Sequence, residues 1–413
     1  MNIPFSPPFI DQAVIDEVLD SLRTNWITSG PKVKALEYEL LNLTGSKATV
    51  CVNSWTSGAI MMLKWFGVGD GDEVIVPAYS YCATALCVLH CGAIPVMVDI
   101  LDDFTIDPVM VKSKITSKTK AIIGVDIAGL PCNYNELREI VNDPAIKSIF
   151  KPVTAKQSEL GRILLMSDAA HSIGATYEGL PAAQKCDVTI FSFHAVKNIT
   201  TAEGGCICLN LPPPFDNQEE YSFLKIFSLN GQNKDAFAKS KGANWRYDIL
   251  FKGFKMNMPD ICAAIGLAQI RQYSNTLLPL RKNIFLKYCA AFKSYDWFIE
   301  PTGKDEIREG SYHLFPLRIK GITEAERDQI IESLVNWGVI VNVHFIPMPM
   351  LTYFKSIGYA IENYPNSYKQ FACEISLPIY PQLSDPEVDF IIESVIGAVH
   401  QVVEINKLVK VLS

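Results

Sequence analysis

Lys197 stands in the stretch FSFHAVKNITTAEGGCICL, Phe191 to Leu209, between an aromatic and serine run and a Thr-Thr-Ala-Glu-Gly-Gly turn. Most lysines are solvated at surfaces, so the residue type alone says little. Its neighbours say more. A strand-like run precedes it, and Glu203-Gly204-Gly205 follow, where the backbone can bend tightly and approach a ligand. A lysine partly desolvated in such a place has its ammonium form disfavoured, and the free amine can form a Schiff base with an aldehyde cofactor.

Pyridoxal 5'-phosphate is such a cofactor, and it needs further parts. A carboxylate must keep its ring nitrogen protonated so that the ring draws electrons. Asp168, ending the run ILLMSD, is of the right type, and it would equally suit a helix N-cap after a strand. A flat aromatic should cover the ring. Tyr81 in VPAYSYCAT lies just past a strand-like run, with Tyr79 competing for the role and core packing open to both. The phosphate asks for free N–H groups at a helix start. Asn53-Ser54-Trp55-Thr56-Ser57-Gly58 follows the strand-like ATVCV and precedes the helix-like AIMMLKWF, so Thr56 and Ser57 would offer backbone and hydroxyl donors.

The elements that must position these groups are legible as a pattern. From about Lys47 to Leu209, short β-rich runs (ATVCVN, DEVIVPAY, IPVMVDI, KAIIGVDI, ILLMSDA, DVTIFSF, CICLN) alternate with helix-like segments. This is the signature of an α/β fold with a mainly parallel sheet flanked by helices, in which functional residues collect at the carboxyl ends of strands. Asn53, Tyr81, Asp168 and Ser192 all fall at or just after such ends. Pro259 to Ser274, PDICAAIGLAQIRQYS, reads as a long helix leading out of a large domain, residues 1–274. Residues 275–413 mix an amphipathic helix (EAERDQIIESLVNWG) with strands (HLFPLRI, VIVNVHF), a smaller α+β domain. The polar stretch from Asn142 to Arg162 reads as a surface insertion.

Composition removes other classes. The chain has 413 residues, 49% hydrophobic and 20% charged, so two cores are affordable and disorder is excluded. A formal net charge of −7 argues against a nucleic-acid partner. No apolar stretch is long enough to span a bilayer and no secretory signal opens the chain, so a cytoplasmic protein without a membrane partner is expected. The eleven cysteines fall mostly in apolar runs, as free thiols do. Cys206 and Cys208 would share a strand face without a second ligand pair nearby, so no metal is expected. Gly67-Val68-Gly69-Asp70-Gly71 precedes a strand instead of following one into a helix, which makes it a poor dinucleotide fingerprint and a turn.

Taken in order, Asn53 to Gly58, DEVIVPAYSYCAT, AIPVMVDI, SDAAHSIGA, FSFHAVKNITTAEGG, GFKMNMPDICAAIGLAQI and SLPIYPQLSD resemble the successive motifs of the sugar-nucleotide aminotransferases, the DegT/StrS group of fold-type I pyridoxal-phosphate enzymes. The resemblance covers nearly the whole chain and is most specific around Lys197. It implies that Lys197 bonds the cofactor aldehyde, that Asp168 partners the pyridinium nitrogen, and that His171 lies near the ring hydroxyl. It implies further that Tyr81 stacks on the ring and that Thr56, Ser57 and Ser192 bind phosphate. Thr28, in Trp26-Ile27-Thr28-Ser29-Gly30, and His344, in HFIPMPML, fall to the substrate side. Lys255 in GFKMN stands where many members have an Asn that reaches a neighbouring subunit's cofactor phosphate, Asn257 where many have Arg, and Pro349 where members often have His.

The activity so implied is transfer of an amino group from glutamate to a nucleotide-linked keto sugar, with a lean toward a 4-keto-6-deoxy sugar, by a homodimer with shared active sites in amino-sugar or surface-polysaccharide synthesis. Family members that dehydrate replace the lysine with His, and Lys197 points away from them. The alternatives of another class are a regulator that binds pyridoxal phosphate without turnover and a sugar-nucleotide oxidoreductase.

Overall fold

The computed structural model describes residues 1–234 and 245–412. Seven strands form the main sheet: β1 (Ala48–Val52), β2 (Glu73–Pro77), β3 (Ile94–Val98), β4 (Thr119–Val125), β5 (Leu164–Asp168), β6 (Val188–Ser192) and β7 (Gly205–Leu209). Their spatial order is β1-β7-β6-β5-β4-β2-β3. β7 runs antiparallel to both neighbours, and every other pairing is parallel. These are the seven runs read from the sequence, in the mainly parallel arrangement expected.

Both faces of the sheet are covered, and strand alternation divides the residues between two cores. In β1, Val50 and Val52 join one core while Cys51 joins the other; in β7, Ile207 and Leu209 go one way, Cys206 and Cys208 the other. The first core also takes the helix Trp55–Trp65, and the second takes Leu36 and Leu40 of Pro31–Thr44 together with Ala263 and Leu267 of Asp260–Gln272. Eight of the eleven cysteines are buried and all are unbonded, Cys82, Cys262 and Cys373 being partly exposed. Gly67 to Gly71 form the turn between the Trp55 helix and β2.

The helix Asp260–Gln272 passes through a π-helical turn, Tyr273–Leu277, into Leu278–Phe292. Beyond it β8 (Phe298–Ile299), β9 (Phe315–Ile319) and β10 (Glu374–Leu377) form a small antiparallel sheet with β9 in the middle. The helix Glu324–Asn336, started by a capping box of Thr323 and Glu326, and the helix Asp385–Leu412 pack on each other beside that sheet. Two segments run across the division expected at residue 274. Ile3 joins the smaller core, and Met348 and Phe354 return to the large one, Met348 N–H donating to the Ala78 carbonyl.

Two local expectations change. VIVNVHF makes only single bridges, Val339 to Ile3 and Asn342 to Ser376, because the chain there serves as a seam between the two cores. The 142–162 stretch forms short helices, Pro144–Ile149 and Ala155–Leu160, and its Gln157 is fully buried, donating to the Phe66 carbonyl at 3.0 Å. Among the described residues no helix is long and apolar enough to cross a membrane.

Where β7 passes the start of the Trp55 helix there is room only for glycine. A Cβ at Gly205 would lie 2.8 Å from the Phe191 oxygen, the Ser54 carbonyl carbon and the Trp55 nitrogen, all backbone atoms. Gly205→Ala should therefore destabilise the protein by about 1–3 kcal/mol, seen as a lowered thermal midpoint. Gly69→Ala, with nothing within 4 Å of the added carbon, should stay within about 0.5 kcal/mol of the parent. Equal midpoints would show that the contact at Gly205 yields without cost.

Candidate active site

The carboxyl ends of β4, β5 and β6, the first turn of the Trp55 helix, and loops from the small domain and the N-terminus enclose one cavity of about 680 Å³. β5 delivers Asp168 there. Its side chain is buried, accepting from Thr84 Oγ1 at 2.8 Å and from Ala170 N–H at 3.2 Å, so it caps no helix. Thr84 is itself steadied by Ser80, 2.8 Å away. Burial pushes the Asp168 carboxyl up to about 7, against the pull of those two donors and of the Lys197 charge.

Lys197 follows β6 in a loop tied at several points. Its N–H donates to the His194 carbonyl, Thr201 N–H to the Phe193 carbonyl, and Thr200 N–H to Gln269 Oε1. Beside it the buried Asn198 amide donates to Tyr273 Oη and to the Ser311 carbonyl, each at 3.0 Å. The backbone is thus held while Lys197 Nζ has no hydrogen bond among the described residues. Burial lowers this amine from 10.5 to about 8, with Asp168 opposing. At pH 7 about a tenth of it is uncharged, against roughly one part in three thousand for an ordinary lysine.

His171 is buried with its ring 4.4 Å from that of His313 and 5.9 Å from Phe345, and its Nδ1 finds no partner among the described residues. Burial, then the Lys197 charge, holds His171 well below the ordinary histidine range, so it is neutral. His313 Nδ1 lies 2.8 Å from Asn198 Oδ1. Because the Asn198 amide nitrogen is spent on two acceptors, its oxygen accepts, and His313 carries its proton on Nδ1.

Of the residues singled out from sequence, Thr56, Tyr81, Asp168, His171, Ser192, Lys197 and His344 line the cavity together. Tyr81, 61% exposed, stands there, whereas the competing Tyr79 is fully buried and donates to the His344 carbonyl at 2.7 Å. Ser57 does not line the cavity. Its N–H and hydroxyl are both tied to Ser54 Oγ, at 3.0 and 2.9 Å. Thr28 and Lys255 also lie outside it; the segments that carry them are joined by Ser29, which donates to the Met258 carbonyl and accepts from Asn257 Nδ2 at 2.6 Å. Sequence reasoning missed His313, Phe345 and Phe5, which also face the cavity. All three come from segments far along the chain from the main-sheet strand ends, and the histidine that opens HLFPLRI was the only signal. No cluster of His, Cys, Asp or Glu among the described residues could hold a metal.

These groups fit pyridoxal phosphate. The lysine amine has no competing partner, and Asp168 is a carboxyl already inclined to share a proton. A helix start where Ser54 takes only the Ser57 N–H leaves first-turn donors over, and the bare Gly205 backbone lets β7 approach that turn. Such a sheet carrying such a site is that of the pyridoxal-phosphate-dependent aminotransferases of fold type I. Within that class the chain belongs to the DegT/DnrJ/EryC1/StrS aminotransferase family, whose model matches residues 8–396. It is similar to a putative sugar aminotransferase, Spr1654, of Streptococcus pneumoniae, solved in a PLP-form: 43% identity, 97% of this chain and 100% of that one, TM-score 0.92. It is 32% identical to the spore coat polysaccharide biosynthesis protein SpsC of Bacillus subtilis over 95% of this chain and 96% of that one. PseC of Helicobacter pylori, an aminotransferase involved in the biosynthesis of pseudoaminic acid, shares 26% identity over 97% of this chain and all of its own, with a TM-score of 0.84. The cofactor is pyridoxal 5'-phosphate.

In the protein freed of cofactor, acetylation of Lys197 followed by peptide mass spectrometry should accelerate as pH rises, pass its midpoint at about pH 8 and level off roughly one unit higher, well ahead of exposed lysines. A rate still climbing above pH 10 would show that the amine is not discharged.

Proposed function

We propose that the enzyme aminates a nucleotide-linked keto sugar, of the 4-keto-6-deoxy kind, with glutamate as donor, in the cytoplasm and for the synthesis of an amino-sugar polysaccharide. The observation that carries the reading is the unpaired, largely buried Lys197 amine facing the same cavity as Asp168. The likeness to Spr1654 and SpsC supports the sugar. The cavity, about 680 Å³, suits a bulky substrate beside a cofactor.

When bound, pyridoxal phosphate supplies a reactive carbonyl carbon and a ring that accepts electrons. Thr56, Ser192 and the first-turn N–H groups of the Trp55 helix hold the phosphate, with the helix dipole favouring its charge. Asp168 would keep a proton at the ring nitrogen, Tyr81 would cover one ring face, and His171, neutral, would serve the ring hydroxyl. Lys197 Nζ takes the proton leaving the donor carbon and returns it at the site of amination, a task suited to a base of pKa about 8. Because the amino group is taken up before it is given out, the kinetics are ping-pong. Thr28 and His344 bind on the sugar side.

The assembly we infer is a homodimer with shared sites. Thr28 and Lys255 both lie outside their own cavity, and the exposed apolar side chains of Trp245, Tyr247, Ile249 and Leu250 lie in the stretch just before Lys255. Across a two-fold axis the Lys255 ammonium would meet the other copy's phosphate as a point charge.

Lys197→Ala should abolish amination of a panel of keto sugar nucleotides in the presence of glutamate, with product identified by mass. Asp168→Asn should retain the fold and lose at least about a hundredfold in turnover, and near-normal turnover would remove Asp168 from the chemistry. If sites are shared, mixing Lys197→Ala with Lys255→Ala chains should restore one intact site per heterodimer. Demonstrated heterodimers no more active than the single variants would place Lys255 outside the site.

A further inference from the structure

Glu374 and Ser376 lie two residues apart on β10 and so share one face of the strand. Both are fully buried. Ser376 Oγ is 2.5 Å from Glu374 Oε1, and 2.9 Å on its other side stands His344 Nδ1. The second carboxyl oxygen, Oε2, accepts the His344 N–H at 3.0 Å. The His344 carbonyl takes the Tyr79 hydroxyl, and Phe5 stacks on the His344 ring with centroids 5.4 Å apart. Every polar atom of His344 is therefore engaged except Nε2, which has no partner among the described residues, on a side chain that lines the cavity with Lys197 and His171.

A buried carboxyl is costly unless it is paired or protonated. The nearest cations do not pair this one. Arg327, on the helix Glu324–Asn336, donates to the carbonyls of Phe371 and Glu374, and Arg318, on β9, to the Asp102 carbonyl and Gln370. Tyr79, Cys373, Arg318 and Arg327 are the ionisable groups that face Glu374 from the elements around it, with His344 itself. An apolar residue would fill the same space but leave the His344 N–H without its acceptor. What the carboxyl adds is a direction to the hydrogen-bond chain.

We propose that Glu374 and Ser376 are positioning residues that decide which nitrogen of His344 carries its proton, and so present His344 Nε2–H as a donor to a carbonyl or carboxylate oxygen of the substrate. With Glu374 protonated, its hydroxyl donates to Ser376 Oγ, Ser376 donates to His344 Nδ1, and the proton of the imidazole sits on Nε2. With Glu374 ionised, Ser376 must donate to the carboxylate, His344 Nδ1–H must donate to Ser376, and Nε2 turns a lone pair to the cavity. The protonated arrangement holds at neutral pH. Burial pushes Glu374 up to about 8, opposed by Ser376 and the His344 N–H, while burial and the Lys197 charge keep His344 neutral by lowering it to about 3. As pH rises through about 8 the chain reverses, and Nε2 ceases to donate. The substrate contact rests on the function proposed above. The proton relay does not.

The test uses holoenzyme labelled with nitrogen-15 histidine, His344 being assigned with His344→Gln. In the parent, the His344 nitrogens should pass from the Nε2–H to the Nδ1–H tautomer as pH rises through about 8. Glu374→Gln, whose amide is a permanent donor to Ser376, should hold the Nε2–H form throughout. Ser376→Ala should disconnect the tautomer from pH, and Ser376→Thr, which keeps the hydroxyl, should restore the dependence. In turnover, KM for the keto sugar should rise about five- to tenfold above pH 8 in the parent and stay flat in Glu374→Gln, with kcat changing less. Identical tautomers at every pH in parent, Glu374→Gln and Ser376→Ala would overturn the relay. Should Glu374→Gln fail to fold, the Ser376 pair decides alone. The spectra need no substrate, so a protein that aminates no sugar on the panel would sink the functional reading and leave the relay to be judged by its tautomers.

Discussion

An amine in a largely buried setting with no hydrogen-bond partner is an unfavourable thing to build, and the structure depends on keeping Lys197 in that condition. Left free, the side chain would relax toward solvent or toward the nearest carbonyl. The loop prevents this by pinning the backbone on both sides of the residue: Asn198 to Tyr273 and Ser311, Thr200 to Gln269, Thr201 to Phe193. Two of these anchors, Gln269 and Tyr273, stand one turn apart where a helix runs on into the π-helical turn. Tyr273 stands in the π-helical turn between the two cores, and Gln269 on the helix that covers one sheet face. The free energy that holds the amine in a setting unfavourable to its charge is thus drawn from packing around the loop.

The sheet does the rest of the positioning. Parallel β4 and β5 end at one level, Val125 opposite Asp168, and β6 runs two residues further, so Val125, Asp168 and Ser192 all reach the cavity. The antiparallel β7 lets the chain turn back directly after Lys197, which a crossover helix would not allow in so short a loop. Its first residue, Gly205, meets the start of the Trp55 helix backbone to backbone. One strand reversal therefore places both the lysine loop and the anion-binding turn at the same end of the sheet.

Much of this was legible in the sequence because it is local. Apolar runs with β-rich composition marked all seven strands, and Lys197, Asp168 and Thr56 lie within a residue or a few of strand or helix ends, where side-chain direction follows from the element itself. What was hidden is what arrives from far along the chain. Phe5, His313 and Phe345 reach the cavity only through the docking of the small domain and the N-terminal segment, which no local pattern encodes. VIVNVHF read as a strand since its alternation is that of a strand. Its neighbours offer it single bridges because β10 and Ile3 meet it at separate points. Ser57 looked like Thr56 in type and position, and only the geometry of the cap shows that Ser54 has claimed it.

The histidines show why burial matters more here than charge. His171, His313 and His344 surround an amine that burial makes easier to discharge, and all three are held neutral chiefly by the same lack of solvent. Were any of them cationic, it would compete with Lys197 for Asp168 and depress the amine further. Neutral imidazoles contribute direction without charge: each has one donor and one acceptor nitrogen, and the partner on Nδ1 decides which faces the cavity. Asn198 sets His313 and Ser376 sets His344, while His171 Nδ1 is unengaged. Two of the three rings thus enter the site with their hydrogen-bonding sense set by the protein, and the third is open to be set by what binds against it.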